Sequence, residues 1–166
     1  MRSVTVNAVV LARECREVFD TVADFVRYPD LVDAVRSVSV EPTDTDGVLL
    51  SHWEVYFRNG ILRWSESDRL DPGGLRIDFD QTDGDFDTFR GDWQLRQAGA
   101  DTEVVFHAEF DFGVPSLASI IDPVAVRVLT ENMELILLGL FDQKVTFGRA
   151  DATLDRTGAL SERRGA

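Results

Sequence analysis

The sequence predicts an α+β, helix-grip fold: a curved antiparallel sheet of about seven strands around a long C-terminal helix, with an internal cavity between them. Three observations carry that expectation. Hydrophobic residues recur with a period of two from about residue 36 to residue 111. Helical spacing is confined to a short region after the first strand. One long, mostly apolar helical segment follows the last strand.

The elements follow in order. "SVTVNAVVL" alternates and predicts a first strand over 3–11. "RECREVFDTVADF" puts Val18, Phe19, Val22 and Phe25 at helical spacing. Pro29 interrupts, and "DLVDAVR" predicts a second short helix. "VRSVSVEP" and "VLLSHWEVYF" are strands, the latter with Trp53, Val55 and Phe57 on one face. Asn59-Gly60 marks a tight hairpin, since both residues tolerate positive φ. "ILRWSESDRL" returns, and "LRIDFDQ" places Leu75, Ile77, Phe79 and Gln81 together. "FDTFRGDWQL" and "TEVVFHAEFDF" complete the meander, with Val104, Phe106, Ala108 and Phe110 on one side. Half of each strand is apolar, so one face of the sheet is covered.

The cover is the last helix. Asp122-Pro123 reads as its start, Asp as cap and Pro in the first turn. From there to about Phe147 is roughly 36 Å of helix at 1.5 Å per residue. One line along it, Ala125, Val128, Asn132, Leu135 and Gly139, carries small or polar residues where a core helix would fill space. Residues 148–166 are polar and aperiodic, so the expectation is one domain over 1–147 and a flexible C-terminal tail over 148–166.

Composition narrows the function classes. The 166 residues are 44% hydrophobic, which argues against disorder, and carry a formal charge of -13. That charge opposes unaided binding to nucleic acid or to an anionic membrane. A single cysteine excludes an internal disulfide framework and a cysteine-rich metal site, and Cys15 reads as a small buried group. The longest apolar run, "LILLGLF" from Leu135 to Phe141, is too short to span a bilayer. With no basic-then-apolar leader in view, the expected location is the cytoplasm.

The candidate chemistry begins with "ILRWSESDRLD". As a strand, it aligns Leu62, Trp64, Glu66 and Asp68 on the face meant for the core. A carboxylate among aromatic rings loses hydration, which raises its pKa toward the range useful for proton transfer. Glu66 is therefore the first catalytic candidate; its alternative is a bulge that turns it to solvent, or an arginine partner. Asp68 is the second, and its position near the strand end favours exposure. Gln81 and Asn132 are neutral groups able to bond ligand carbonyls, or equally to satisfy backbone. Trp53, Trp64, Phe79, Phe89, Trp93 and Phe106 would form flat walls, and Tyr28 would stand at the mouth, as plug or gate. His52 and His107 fall on the outward parity. Asp83, Asp85 and Asp87 lack the glycine and terminal glutamate of a calcium loop, so no metal is expected.

The segments "VFDTVADFVRYPDLV", "WEVYFRNGILRWSESD", "GDFDTFRGDWQL" and "VVFHAEFDFGVPSLASIID" resemble the single-domain polyketide aromatase/cyclases of the START-like (SRPBCC) superfamily. More distantly they resemble coenzyme Q-binding proteins of the same START/Bet v 1-like fold. The resemblance covers residues 3 to about 147. It implies a cofactor-independent enzyme that takes an acyl-carrier-protein-bound poly-β-ketone into the cavity and directs aldol closure and dehydration. Four residues after the tryptophan matched by Trp64, the better-known aromatases have an arginine; here that position is Asp68, and Arg69 has the opposite parity. The alternative is a non-catalytic carrier of a lipid, quinone or aromatic polyketide. For docking an acidic carrier protein, Arg13, Arg16, Arg27 and Arg36 are the concentrated basic residues, and "LILLGLF" leaves a homodimer open.

Overall fold

A computed structural model describes residues 1–57, 60–113 and 118–148, with 118–122 described by their backbone alone. β1 (Arg2–Val10) leads into α1 (Cys15–Ala23), a 3-10 turn (Phe25–Arg27) and the single-turn α2 (Tyr28–Leu31). A meander follows: β2 (Val35–Pro42), β3 (Val48–Phe57), β4 (Gly60–Asp71), β5 (Arg76–Gly84), β6 (Thr88–Ala98) and β7 (Asp101–Asp111). The chain closes with α3 (Ala118–Leu140) and β8 (Val145–Phe147). Among the described residues, eight strands join one sheet in the order β2-β3-β4-β5-β6-β7-β1-β8.

The meander matches the period-two reading. β7 alternates buried and half-buried residues without a break, and Val104, Phe106, Ala108 and Phe110 all face the core. Val18, Phe19, Val22 and Phe25 are at most 3% exposed, so the helical spacing identifies the buried stripe. Phe57 pairs with Gly60, which leaves a two-residue connection; the Asn59 turn itself lies outside the described residues.

Four expectations are corrected. The sheet has eight strands, because α3 ends at Leu140 and does not run on to Phe147. Asp142 and Gln143 both take positive φ (53° and 68°), which reverses the chain and lays β8 against β1. At its other end α3 starts at Ala118, so Pro123 is the sixth helical residue, where it forgoes one backbone hydrogen bond without ending the helix. The second short helix is Tyr28–Leu31, not Asp30–Arg36: Pro29 initiates it, and Val32 is already extended. Cys15, read as buried, is the half-exposed first residue of α1. The polar stretch after Gly148 lies outside the described residues.

The line on α3 expected to border empty space is also different. Ala125 is buried, but Leu135 is 52% exposed and Gly139 is the contact point with α2. A Cβ on Gly139 would stand 2.5 Å from the Leu31 carbonyl oxygen, so glycine permits a backbone-to-backbone approach. The inward line is instead Leu129, Asn132, Met133 and Ile136. Most of "LILLGLF" is core: Ile136, Leu137, Leu140 and Phe141 are buried. Among the described residues no helix is long and apolar enough to cross a membrane.

Candidate functional site

Between α3 and the concave face of the sheet lies a narrow cavity walled by rings. Trp53 and Val55 from β3, Trp64 and Glu66 from β4, Phe79 from β5, Phe89 and Trp93 from β6, and Phe106 from β7 line it. Tyr28 and Phe25 close one side, and Leu129, Asn132 and Met133 of α3 form the roof. The cavity volume is about 70 Å³. Among the described residues no Arg, Lys or His lines it.

The walls are cross-strand products of the meander. Trp53 lies opposite Trp64 in the β3–β4 register, and the two indoles stack at 5.8 Å with planes 2° apart. Phe79 stacks on Phe106 at 5.7 Å, and Trp93 meets Phe106 edge-on at 4.8 Å. A bulge between Ser65 and Glu66 re-registers β4 on β5. There Gly84, at φ 147°, passes so near Trp64 that a Cβ would sit 2.5 Å from the Trp64 Cα. Only glycine fits that crossing, which seats the Trp64 backbone against β5.

Glu66 is where alternation put it. It is 4% exposed, lines the cavity, and its Oε1 accepts the Trp64 indole N–H at 2.7 Å. Asp68, expected near solvent, is 0% exposed. It lies behind Glu66, off the cavity surface, because the long β4 carries this position well inside its paired span, opposite Phe79. Its Oδ2 accepts the Ser51 hydroxyl at 2.5 Å, and Ser51 Oγ accepts the Trp53 indole N–H at 2.8 Å. Asp68 Oδ1 is buried without a hydrogen-bond partner among the described residues, and each carboxyl influences the other's titration.

Burial pushes Glu66 well above the ordinary carboxylate range; its bond to Asp68 and the charge there push the same way, against the Trp64 N–H. Burial raises Asp68 too, but the bonds to Glu66 and Ser51 hold it down. Burial thus makes both carboxyls harder to ionise than an exposed acid. Tyr28, fully interior, donates its hydroxyl to the Val22 carbonyl at 2.6 Å. Burial, then the neighbouring carboxyls, keeps its phenol neutral.

The remaining candidates divide. Asn132 borders the cavity, yet its Nδ2 donates to the Tyr56 carbonyl at 3.0 Å and so ties α3 to β3. Gln81 is not on the cavity wall; its Nε2 donates to the Phe86 carbonyl at 2.8 Å, bracing the β5–β6 turn. His52 binds Glu41 and Ser65, and His107 binds Thr5, all on the outer face. Arg69 is exposed there as well. Ser51 escapes a reading of the sequence because a lone serine on a strand carries no motif; only the inward parity it shares with Trp53 hints at it.

Comparison with known proteins agrees with this architecture. The family model for polyketide cyclase/dehydrase and lipid transport matches residues 11–135. No curated protein matches in sequence. Among solved structures, TTHA0849 from Thermus thermophilus superposes with a TM-score of 0.78 at 22% identity, covering 86% of this chain and 96% of that one. The Zhui aromatase/cyclase from Streptomyces sp. R1128 gives 0.76 at 18% identity, covering 86% and 93%. A START superfamily protein from Mycobacterium smegmatis gives 0.69 at 18%, covering 86% and 97%. These likenesses establish the helix-grip fold, and the family match over three-quarters of the chain establishes more: the protein belongs to the polyketide cyclase/dehydrase and lipid transport family.

Proposed function

We propose that this protein is a cofactor-independent cyclase/dehydratase that closes a ring in a carrier-protein-tethered poly-β-ketone. The observation that carries the reading is a buried carboxyl, Glu66, on the wall of a ring-lined cavity, pushed well above the ordinary carboxylate range chiefly by burial, with a second buried carboxyl, Asp68, behind it. Such a pair holds one proton and can both give and receive it. Glu66 hydrogen-bonds the ketone oxygen under attack. As the enol carbon bonds to that carbonyl carbon, the Glu66 proton passes to the oxygen, and the pair regains a proton from the enol hydroxyl. The resulting β-hydroxy ketone loses the hydroxyl as water together with a proton from the adjacent carbon, which leaves the ring's double bond. The flat walls contribute orientation: a flexible chain held in one near-attack shape closes far more often than in water.

The substitution Glu66→Gln tests this, since glutamine keeps the shape and cannot release a proton. Incubated with the carrier-bound substrate, the variant should lose ring closure by about 10²-fold or more; unchanged rate and product pattern would overturn the proposal. A second reading, carriage of an apolar ligand without conversion, is favoured by Asp68 at the position where the resembled aromatases have an arginine. Ligand binding with no shift in the cyclisation products of the wild type would select it.

A further inference from the structure

Three tryptophans line the cavity, and the indole N–H groups of two are committed. Trp53 donates to Ser51 Oγ at 2.8 Å and Trp64 to Glu66 Oε1 at 2.7 Å. Trp93 is 5% exposed, yet its N–H has no acceptor among the described residues. Nor is it one of the side-chain atoms sealed off without a partner, which among the described residues are Asp68 Oδ1 and Gln81 Oε1. As Trp93 is otherwise enclosed, the open side of its N–H is the cavity. A buried indole N–H ordinarily finds a partner, because an unpaired donor forfeits the hydration it had in the unfolded chain. Phe106, edge-on to Trp93 with centroids 4.8 Å apart, offers at most a ring face, a far weaker acceptor than an oxygen.

We propose that Trp93 anchors the ligand by donating its indole N–H to an acceptor oxygen at the end of the molecule remote from Glu66. The cavity thus takes a flat compound with oxygens at two separated points, in preference to a hydrocarbon. The proposal rests on the same cavity being the substrate site, and it narrows the class of substrate; it does not need Glu66 to react. An indole N–H only donates, so the atom it holds is a carbonyl, ether or hydroxyl oxygen. The separation follows from the sheet. Leu70 of β4, Ile77 of β5 and Trp93 of β6 pair in one row, whereas Glu66 lies four residues back along β4. That offset is about 13 Å of strand at 3.3 Å per residue. Between the two points, Phe79 pairs with both Asp68 and Gly91 and lays its ring on the cavity wall.

The other donors on the wall are engaged. Tyr28 spends its hydroxyl hydrogen on the Val22 carbonyl at 2.6 Å. Asn132 spends an amide hydrogen on the Tyr56 carbonyl at 3.0 Å, which holds α3 to β3. Packing alone does not call for an indole at position 93, since its neighbours on the wall, Phe79, Phe89 and Phe106, present rings without a donor. The N–H is surplus to the core and available to a ligand.

The test reads the N–H itself, without reference to turnover. Full-length protein labelled with nitrogen-15 gives three indole signals, one per tryptophan, and Trp93→Phe identifies the one from Trp93. Two probes are titrated: 6-hydroxy-1-tetralone, a fused ring pair with an oxygen on each ring, and tetralin, the same rings without oxygen. The tetralone should move the Trp93 indole proton downfield of its position with tetralin, which corrects for ring currents. By calorimetry the tetralone should bind more tightly. Trp93→Phe should lower the ratio of its affinity to that of tetralin by about fivefold, the worth of one neutral hydrogen bond. A merely structural role for the tryptophan would weaken both probes alike and keep the ratio. The proposal falls if the two probes leave the proton at the same position, if the ratio survives Trp93→Phe, or if neither probe binds. Should the variant not fold, the Trp93 signal is assigned through its own backbone and the proton shift still decides. A shifted proton alongside a fully active Glu66→Gln enzyme would remove the proposed reaction and leave the anchor standing; lost ring closure with an unmoved proton would remove the anchor alone.

Discussion

Replacing Glu66 by glutamine should change how stability depends on pH while leaving the fold intact. Glutamine is the near-isostere of a protonated glutamic acid. Its carbonyl can accept the Trp64 N–H, and its amide can donate to Asp68 Oδ1, the atom otherwise left without a donor. At acidic pH, where Glu66 is protonated in both states, variant and wild type should therefore unfold at similar denaturant concentrations. Their pH profiles should then separate. Unfolded, Glu66 titrates near its ordinary value of 4.5; folded, burial and then Asp68 hold it well above that. A raised folded pKa means that the protonated group's contribution is complete below about 4.5 and is lost as pH climbs through the folded value. The loss follows a slope of about 1.4 kcal/mol per pH unit for one proton, and levels off above the folded pKa. The wild type should thus lose stability relative to the variant across this window, and the difference at its top equals the whole shift. Urea unfolding of both proteins in matched buffers at several pH values measures it, with the ionisable groups remote from Glu66 and Asp68 cancelling in the difference. Parallel curves would refute the reasoning, because they would mean that Glu66 ionises as freely folded as unfolded. A variant that failed to fold at acidic pH would refute the isosteric hydrogen-bonding scheme.

Two further outcomes concern other parts of the molecule. Gly139→Ala should lower the urea midpoint, with a net cost of about 1–3 kcal/mol from the forced contact with the Leu31 carbonyl and Val32, despite a helix-propensity gain of up to about 1 kcal/mol; an equal or higher midpoint would show that α2 can move aside without penalty. For the proposed carrier-protein docking, charge reversal at Arg13 and Arg16, the latter an exposed residue paired only with the equally exposed Asp20, should slow association and flatten its salt dependence. Surface-plasmon kinetics against an acidic acyl carrier protein that show no change would remove this face from the interaction.

The site was legible in the sequence to the extent that it depends on strand parity. Trp53, Trp64, Glu66, Phe79, Trp93 and Phe106 all reach the cavity because side chains alternate, and alternation survives even a bulge when the bulge falls between strands' partners. Parity also placed Asp68 on the inner face, but not its depth. Exposure at a strand end depends on how far neighbouring strands extend, and β3 and β5 both pair with β4 beyond Asp68. Gln81 has the right parity and still misses the cavity, since it lies at the bulge and turns to the Phe86 carbonyl. On α3 the helical period was readable, but the face it presents was not. Rotation of a helix that is apolar over most of its circumference is set by what packs on it, here the Leu31 backbone seated at Gly139.

The sequence by itself therefore determined the element order as far as α3, the meander, the inward set of rings and the presence of an acid among them, because each is a local pattern of alternation or helical spacing. Only the tertiary structure decided that Asp68 is buried and that it accepts the Ser51 hydroxyl, whose oxygen in turn accepts the Trp53 indole N–H. Those facts arise from the register between β3 and β4, which sets Ser51 opposite Glu66 and within reach of Asp68, 17 residues further along the chain. How hard the two carboxyls are to ionise is set by that burial, and no single strand carries it.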